Sequence, residues 1–431
     1  MGNIFIIHTN KIKGLFLVSK PDISKWMILS VRDIALWLFF AAFLLIYYTS
    51  LTPWFLWNIY SYASFLAFFP IVLSYLISRH LQEPIFTRTN YVFPLLCYFL
   101  YIIISGILSG KNINGFIGDF FNFVAVLFLF RINTEDLVKF GNVLSISMGA
   151  LLLPSLFFYA LYLLGFSLPN YYIDNPLAEY SYENYYFFLV NLNEAWTIIP
   201  RFQSVFVEPS HLAMACIVLL LTQVGNWKKW YNVTMFVAIF ISFSLAGYLF
   251  LIIVLFASAW MKGRNIWNKL LALVGFSFLI GISAIFYNDG DNLVNQLIVQ
   301  RLVVNDDGKL EGDNRVTTEF ETAYNDFVKS DKLLFGEGTE KLEQFGWGNA
   351  GYRVYIYVYG LISLVFLLFF LLAISITGTS KRGIFVMLLI HAISFIPHAI
   401  TLKFYFFTPL YIIAFRRVFK KNEEEETPML D

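Results

Sequence analysis

A succession of long apolar runs constrains this chain more than any other feature, because a soluble core has no room for them. A bilayer-spanning helix needs about 20 predominantly apolar residues. Such stretches recur at 34–51, 55–78, 91–108, 116–131, 141–165, 205–224, 270–286 and 354–376. They are continuous rather than alternating, which points to α-helices and away from an outer-membrane barrel. Of 431 residues, 58% are hydrophobic and only 14% charged, with mean hydropathy +0.67; soluble domains carry about 25% charged residues. The expectation is an all-α, polytopic integral membrane protein, one membrane domain over 1–431, with the lipid bilayer as its solvent.

The charges orient the runs, since Lys and Arg concentrate in cytoplasmic loops. Lys11, Lys13, Lys20 and Lys25 precede the first run with no small-residue cleavage site, which reads as an uncleaved signal-anchor. Arg79, Arg88, Arg131 and Lys139 mark further inner loops. The run 231–260 has Lys228 and Lys229 before it and Lys262, Arg264 and Lys269 after it, so it must go out and return, turning near Ser242 to Gly247. The run 384–415, between Lys381/Arg382 and Arg416/Arg417, must do the same, turning near Pro397 to Lys403. Each half is short for a span, so tilted or broken helices are expected. This makes about twelve membrane segments. Both termini are then cytoplasmic, the inner tail 416–431 carrying the solvated run Glu423–Glu426, and two large loops lie outside, 166–204 and 287–353.

The outer loops hold the chemistry-bearing residues. In Arg201-Phe-Gln-Ser-Val-Phe-Val-Glu208-Pro-Ser-His211, ionisable groups stand at the mouth of an apolar span. A charge at membrane depth costs about 2.5–3.5 kcal/mol on insertion scales, and such groups mark pathways or sites. Glu208 and His211 share a helical face and are the candidate general bases; the bland alternative is a hydrogen-bonded pair at a helix start. Arg201 is the one basic residue of its loop, and with Arg301, Arg315 and Arg353 it offers bidentate recognition of phosphate, contact with lipid head groups being the alternative. The first loop is rich in tyrosine (Tyr171, Tyr172, Tyr180, Tyr182, Tyr185, Tyr186) and holds Trp196. Tyr185 and Trp196 are candidate sugar-binding residues, and an interfacial aromatic belt is the competing reading. Val316, Phe320, Tyr324 and Phe327 repeat at helical spacing, with Asp313 or Asn314 as expected N-cap. Asn292–Val304 is amphipathic, and Leu334 to Gly338 reads as a glycine turn. Asp119 reads as a helix cap, and His391 and His398 as buried structural histidines.

Several classes are excluded. Net charge +1 points to no nucleic-acid partner. Cys97 and Cys216 fall inside apolar spans, so neither a disulfide nor a cysteine metal site is expected. No metal-ligand cluster, P-loop or dinucleotide fingerprint is present.

From about residue 200 to 376 the chain resembles the bacterial O-antigen and capsule repeat-unit polymerases (Wzy-type) of the O-antigen polymerase/ligase superfamily. Arg201…Phe206-Val-Glu208-Pro209-Ser210-His211 is similar to the family's Arg…Phe-x-Glu-Pro-Ser segment opening a span. Ser242-Phe-Ser244-Leu-Ala-Gly247 stands in place of its Ser-Arg-x-Gly turn, without the arginine. Arg315, then Leu334-Phe-Gly336-Glu-Gly338, then Asn349…Tyr359-Gly360-Leu-Ile follow in the family's order. Ligase-type members carry a His-Asn pair where this chain reads Gly348-Asn349. The resemblance implies a metal-independent glycosyltransferase without a cofactor, multi-pass in the bacterial inner (cytoplasmic) membrane, its site facing the periplasm. Its substrates would be undecaprenyl-diphosphate-linked oligosaccharides. A polysaccharide chain-length regulator would be a partner. Glu208, His211, Arg201 and Arg315 would be catalytic, and Arg353, Arg301, Asn349, Tyr185 and Trp196 substrate-binding. A flippase for the same lipid-linked unit, a ligase and a non-catalytic scaffold are the alternatives. A flippase should line its spans with charge and keep its outer loops short, the reverse of this pattern.

Overall fold

The first helix begins where its sequence can satisfy its own end. Ser30 and Asp33 form a capping box, each side chain meeting the other's backbone N–H at 3.1 Å, and α1 (Val31–Ser50) follows. The computed structural model describes residues 30–87, 90–176, 180–192, 199–261, 316–346, 349–396 and 402–415, with single positions 268, 275, 282, 287 and 295 between. After α1 come a 3-10 helix (Trp54–Tyr62), α2 (Ala63–Ser78), α3 (Val92–Leu108), α4 (Ile113–Arg131) and α5 (Thr134–Leu163). Three short strands, β1 (Tyr171–Asp174), β2 (Ser181–Asn184) and β3 (Leu189–Asn191), precede α6 (Pro209–Thr222), α7 (Trp230–Ile241) and α8 (Leu245–Met261). The last part holds α9 (Thr318–Val328), a 3-10 turn (Asp331–Leu334), α10 (Thr339–Glu343), α11 (Tyr352–Thr377), α12 (Lys381–Phe395) and α13 (Phe404–Phe415).

Among the described residues, five helices are long and apolar enough to cross a membrane: Val31–Ser50, Trp54–Ser78, Ile113–Arg131, Thr134–Leu163 and Tyr352–Thr377. The described chain is mostly helical. Its outward faces keep large apolar side chains exposed, among them Phe69 on α2, Phe93 on α3, Phe120 on α4 and Phe369 on α11. A water-facing surface rarely tolerates contiguous patches of this kind, and a hydrocarbon-facing one needs them; this is the pattern of a helical membrane protein. The run 231–260 is divided near the expected turn, α7 ending at Ile241 and α8 starting at Leu245, with Phe243 in the left-handed region (φ +47°). The apolar run 270–286, the amphipathic stretch 292–304, His398 and the tail 416–431 lie outside the described residues.

Without a hydrophobic drive between helices in lipid, close packing depends on small residues. Gly149 of α5 lies against the Tyr231 backbone of α7, and Gly247 of α8 against Ala213 of α6. α6 is buried along almost its whole length, from Leu212 to Thr222, and packs on α5, α7, α8 and α13. A helix apolar all round belongs in such an interior. At one end of the helices Asp136, fully buried, accepts from Arg32 (2.5 Å), Lys139 (3.1 Å) and Asn133 (2.8 Å). Nearby backbone bonds join Thr87 to Arg131 and Asn133 to Ile85, so the loops expected inside meet at this end.

The helical reading holds, with one small addition: an antiparallel sheet of order β1-β2-β3, paired Tyr171 with Asn184 and Tyr182 with Asn191; its tyrosines are strand formers that pack on a pleated face. Two expectations are corrected. Asp119 does not cap α4: Asn112 does, its side chain accepting from Gly115 N–H at 2.9 Å, while Asp119 sits within the helix and pairs with Lys111 at 2.7 Å. α9 is capped by Thr317, which accepts from Phe320 N–H at 3.2 Å, because its helix begins later than the apolar spacing suggests; Asp313 and Asn314 lie outside the described residues. The span expected at 354–376 is present as α11, with a kink at Gly360 (φ +68°, ψ 175°).

Candidate functional site

The segment before α6 is an irregular, buried strap held on several sides. β3 binds it through Leu189 N–H to Ser204 O (2.8 Å), and the 3-10 helix through Trp54 N–H to Val205 O (3.0 Å). Tyr159 and Tyr182 donate their hydroxyls to Pro200 O (2.5 Å) and Val207 O (2.9 Å). Residues 202–207 are all buried, and Ser204 takes a left-handed conformation (φ +54°). The small sheet thus positions the strap and, through it, the residue that opens α6.

That residue is Glu208, the N-cap of α6, with extended backbone and Pro209 in the first turn. Its carboxylate makes no capping bond; instead Ser210 Oγ donates to Glu208 Oε2 at 2.8 Å. Glu208, Ser210 and His211 are half-buried, in a stretch whose other members are buried. Glu208 interacts electrostatically with His211, Lys403 and Tyr405, so the end of the last hairpin meets the start of α6 here. The His211 and Tyr405 rings lie 6.3 Å apart, and Tyr405 N–H donates to Ser50 Oγ at 2.9 Å, tying α13 to α1. The Tyr47 and Tyr405 hydroxyls are buried there without a hydrogen-bond partner.

Beside this cluster lies a cavity of about 1020 Å³ between the end of α1, the 3-10 helix, the starts of α2 and α4, α3 and residues 402–404. Lys403 lines it and is exposed, while Glu208 does not line it. The protein crowded around Lys403 lowers its ammonium pKa by desolvation, and the nearby Glu208 carboxylate opposes that shift. Burial and the glutamate thus act on Lys403 in opposite directions.

The other sequence-derived candidates go elsewhere. Arg201 begins the strap and is half-buried. Arg353 pairs with Glu321 of α9 at 3.2 Å and lies 5.9 Å from the Tyr352 ring centroid. Asn349 accepts from Thr317 N–H at 2.8 Å, anchoring α9. Tyr185 is buried, stacks on Phe188 (4.7 Å between centroids) and donates to Glu183 at 2.7 Å; burial pushes its phenol pKa up to about 12. None of the three lines the cavity, and neither do Arg201, Glu208 and His211. Arg301, Arg315 and Trp196 lie outside the described residues. His391 Nδ1 bonds Met387 O at 2.8 Å in the core, as expected of a structural histidine. Lys403 is the residue that sequence reasoning missed. Its signal was available: an isolated cation where the run 384–415 is expected to turn outside, against the positive-inside pattern, as with Arg201.

The two glycine motifs meet one another. Gly336 (φ +81°) and Gly360 pack backbone to backbone, so that a Cβ on either would strike the other's chain. Glu337 and Gly338 donate to the Tyr357 and Val358 carbonyls at 2.7 and 3.2 Å, satisfying groups that the break in α11 frees. Thr339 then bonds Ser109 O through its N–H (3.1 Å) and hydroxyl (2.9 Å), docking the loop on α3.

Among the described residues no three of His, Cys, Asp and Glu gather as metal ligands would. Comparison with protein-family models, curated proteins and solved structures returns no match.

Proposed function

We propose that this protein is a membrane glycosyltransferase that moves a growing glycan from its undecaprenyl-diphosphate carrier onto a new lipid-linked repeat unit, building O-antigen or capsular polysaccharide on the outer side of the bacterial inner membrane. One observation carries the reading: a glutamate, a histidine and a lysine converge beside a large cavity at the mouth of a buried helix. Glu208 takes the proton from the acceptor hydroxyl, whose oxygen attacks the anomeric carbon of the donor. The bond from that carbon to the diphosphate breaks, and the electron pair leaves with the diphosphate. Fixed cations meet the charge that develops there; Arg201 is the candidate from the strap, and Arg315 from the resemblance.

The loss-of-function phenotype separates this reading from its competitors. Deleting the gene of a polymerase leaves surface glycan carrying single repeat units, because each unit is still flipped and still ligated. Long polymer held on undecaprenyl diphosphate in the deletion strain would instead mean a ligase. Absence of surface glycan, with units trapped on the inner leaflet, would mean a flippase.

A further inference from the structure

The cavity adjoins the site through the backbone of the last hairpin. Ser50 lines it and accepts from Tyr405 N–H at 2.9 Å, and the Tyr405 ring lies 6.3 Å from that of His211. Its walls mix rings with neutral polar groups. Tyr60, Tyr62, Phe65, Tyr98 and Phe121 supply the rings, of which Tyr62 is 63% exposed and Phe65 43%. Ser61, Asn114 and Asn122 supply a hydroxyl and two amides. Ser64 Oγ donates to Asn122 Oδ1 at 2.5 Å, which leaves the Asn122 NH2 as the group that donates. Among the described residues that line the cavity, Lys403 is the one cation, and no carboxylate lines it with the lysine.

Each class of ligand uses a different part of such a lining. A hydrocarbon chain has no use for the amides and hydroxyls. A diphosphate would set several negative charges against one ammonium group, with no arginine fork in the lining. A monocarboxylate balances the lysine one to one. A pyranose ring uses the rest, its C–H faces on the aromatic rings and its hydroxyls on the amides and hydroxyls. We propose that the cavity binds a sugar acid, a pyranose carrying one carboxylate, with that carboxylate on Lys403. This rests on the polymerase reading and narrows its substrate: the repeat unit contains an acidic sugar, held beside the linkage being made, and Lys403 selects for it.

The test uses the full chain in phosphatidylcholine nanodiscs, with saturation-transfer NMR as the readout. The probes are glucuronate, galacturonate and N-acetylneuraminate, with glucose, acetate and glucose 1-phosphate as controls. At least one of the three acids binds about tenfold more tightly than glucose and than acetate, as one charge-assisted hydrogen bond provides. Lys403→Gln brings that acid within about threefold of glucose, while Lys403→Arg keeps the preference. Asn114→Leu weakens acid and glucose alike, by about fivefold, and leaves their ratio unchanged; a merely structural lysine would not separate the two ligands in this way. Three acids that bind no better than glucose overturn the proposal, as does a preference that survives Lys403→Gln. Acetate binding as tightly as the acid overturns the sugar, and glucose 1-phosphate binding more tightly than every acid overturns the carboxylate. Should Lys403→Gln fail to fold, the wild-type preference and Asn114→Leu decide. In the parent strain every repeat unit of the surface glycan carries a sugar acid, and a polymer of neutral sugars alone overturns the assignment. If the acids bind as stated but the deletion strain still makes long glycan on its final carrier, the polymerase reading fails and the sugar-acid site remains. If the deletion strain shows single units but the acids bind no better than glucose, only the cavity assignment fails.

Discussion

The strap with α6 (residues 199–222) and the glycine pair with its loop (residues 316–360) make an instructive contrast. Both carry motif residues, and both interrupt the regular helical pattern. In the strap, backbone irregularity is held by other elements: β3, Trp54, Tyr159 and Tyr182 donate to its carbonyls, and its end presents a half-buried glutamate beside a histidine and a lysine. In the loop the irregularity serves the fold itself. Gly336 and Gly360 touch, freed carbonyls find donors, and the polar side chains Arg353 and Asn349 tie α9 to the start of α11. The two motifs thus divide the work, one ending in ionisable side chains near Lys403 and the other closing backbone on backbone.

Substitutions test this division. The largest effect is expected at the strap: Arg201→Ala lowers polymer formation per folded molecule by about 10²–10³-fold, as loss of a group that stabilises developing charge does. Arg201→Lys recovers little, since the bidentate fork is gone. Wild-type glycan length in both variants would remove Arg201 from the chemistry. Next come the glycines. Gly336→Ala and Gly360→Ala each destabilise the protein by more than about 2 kcal/mol, from the strained backbone and the clash together. Thermal unfolding in detergent and the amount of protein in the membrane report this. Full-strength, stable protein that has lost only activity would move the glycines to the chemical side of the comparison.

Smaller effects belong to the loop's side chains. Thr317→Ala removes the cap of α9 and costs about 1 kcal/mol, read as a lowered unfolding temperature with polymer length unchanged. Arg353→Ala removes a part-exposed ion pair whose side chains are 33% and 22% exposed, and such pairs contribute about 0.2–1 kcal/mol. Its glycan ladder should match the wild type. A large loss of polymer in well-folded Arg353→Ala would restore the substrate-binding role that the sequence suggests and blur the division.

The helical, apolar character of the chain is legible in the sequence, because apolar length acts locally. The division of the run 231–260 into α7 and α8 falls where the sequence suggests a turn, and Phe320 and Phe327 bury as their spacing requires. The sheet was not legible, because tyrosines suit a strand, a sugar platform and an interfacial belt equally, and only pairing with Val207 and Asn191 decides among them. The site was half legible. Glu208 and His211 are three residues apart and announce each other, whereas Lys403 joins them across nearly 200 residues through the packing of α13 on α1 and α6. Gly360 gave no warning either. Its break in α11 depends on a glycine in a distant loop, a contact that no local pattern encodes.

The central claim is that Glu208 takes the proton in chain extension, and its most direct measurement is the length of surface glycan in cells whose only copy of the gene carries Glu208→Gln. The variant keeps shape and volume and loses the basic carboxylate, and a positioned general base contributes about 10²–10⁴-fold to rate. With the variant in the membrane at wild-type abundance, the account predicts glycan of single repeat units, indistinguishable from the deletion strain. Long chains of wild-type length in that strain would contradict it.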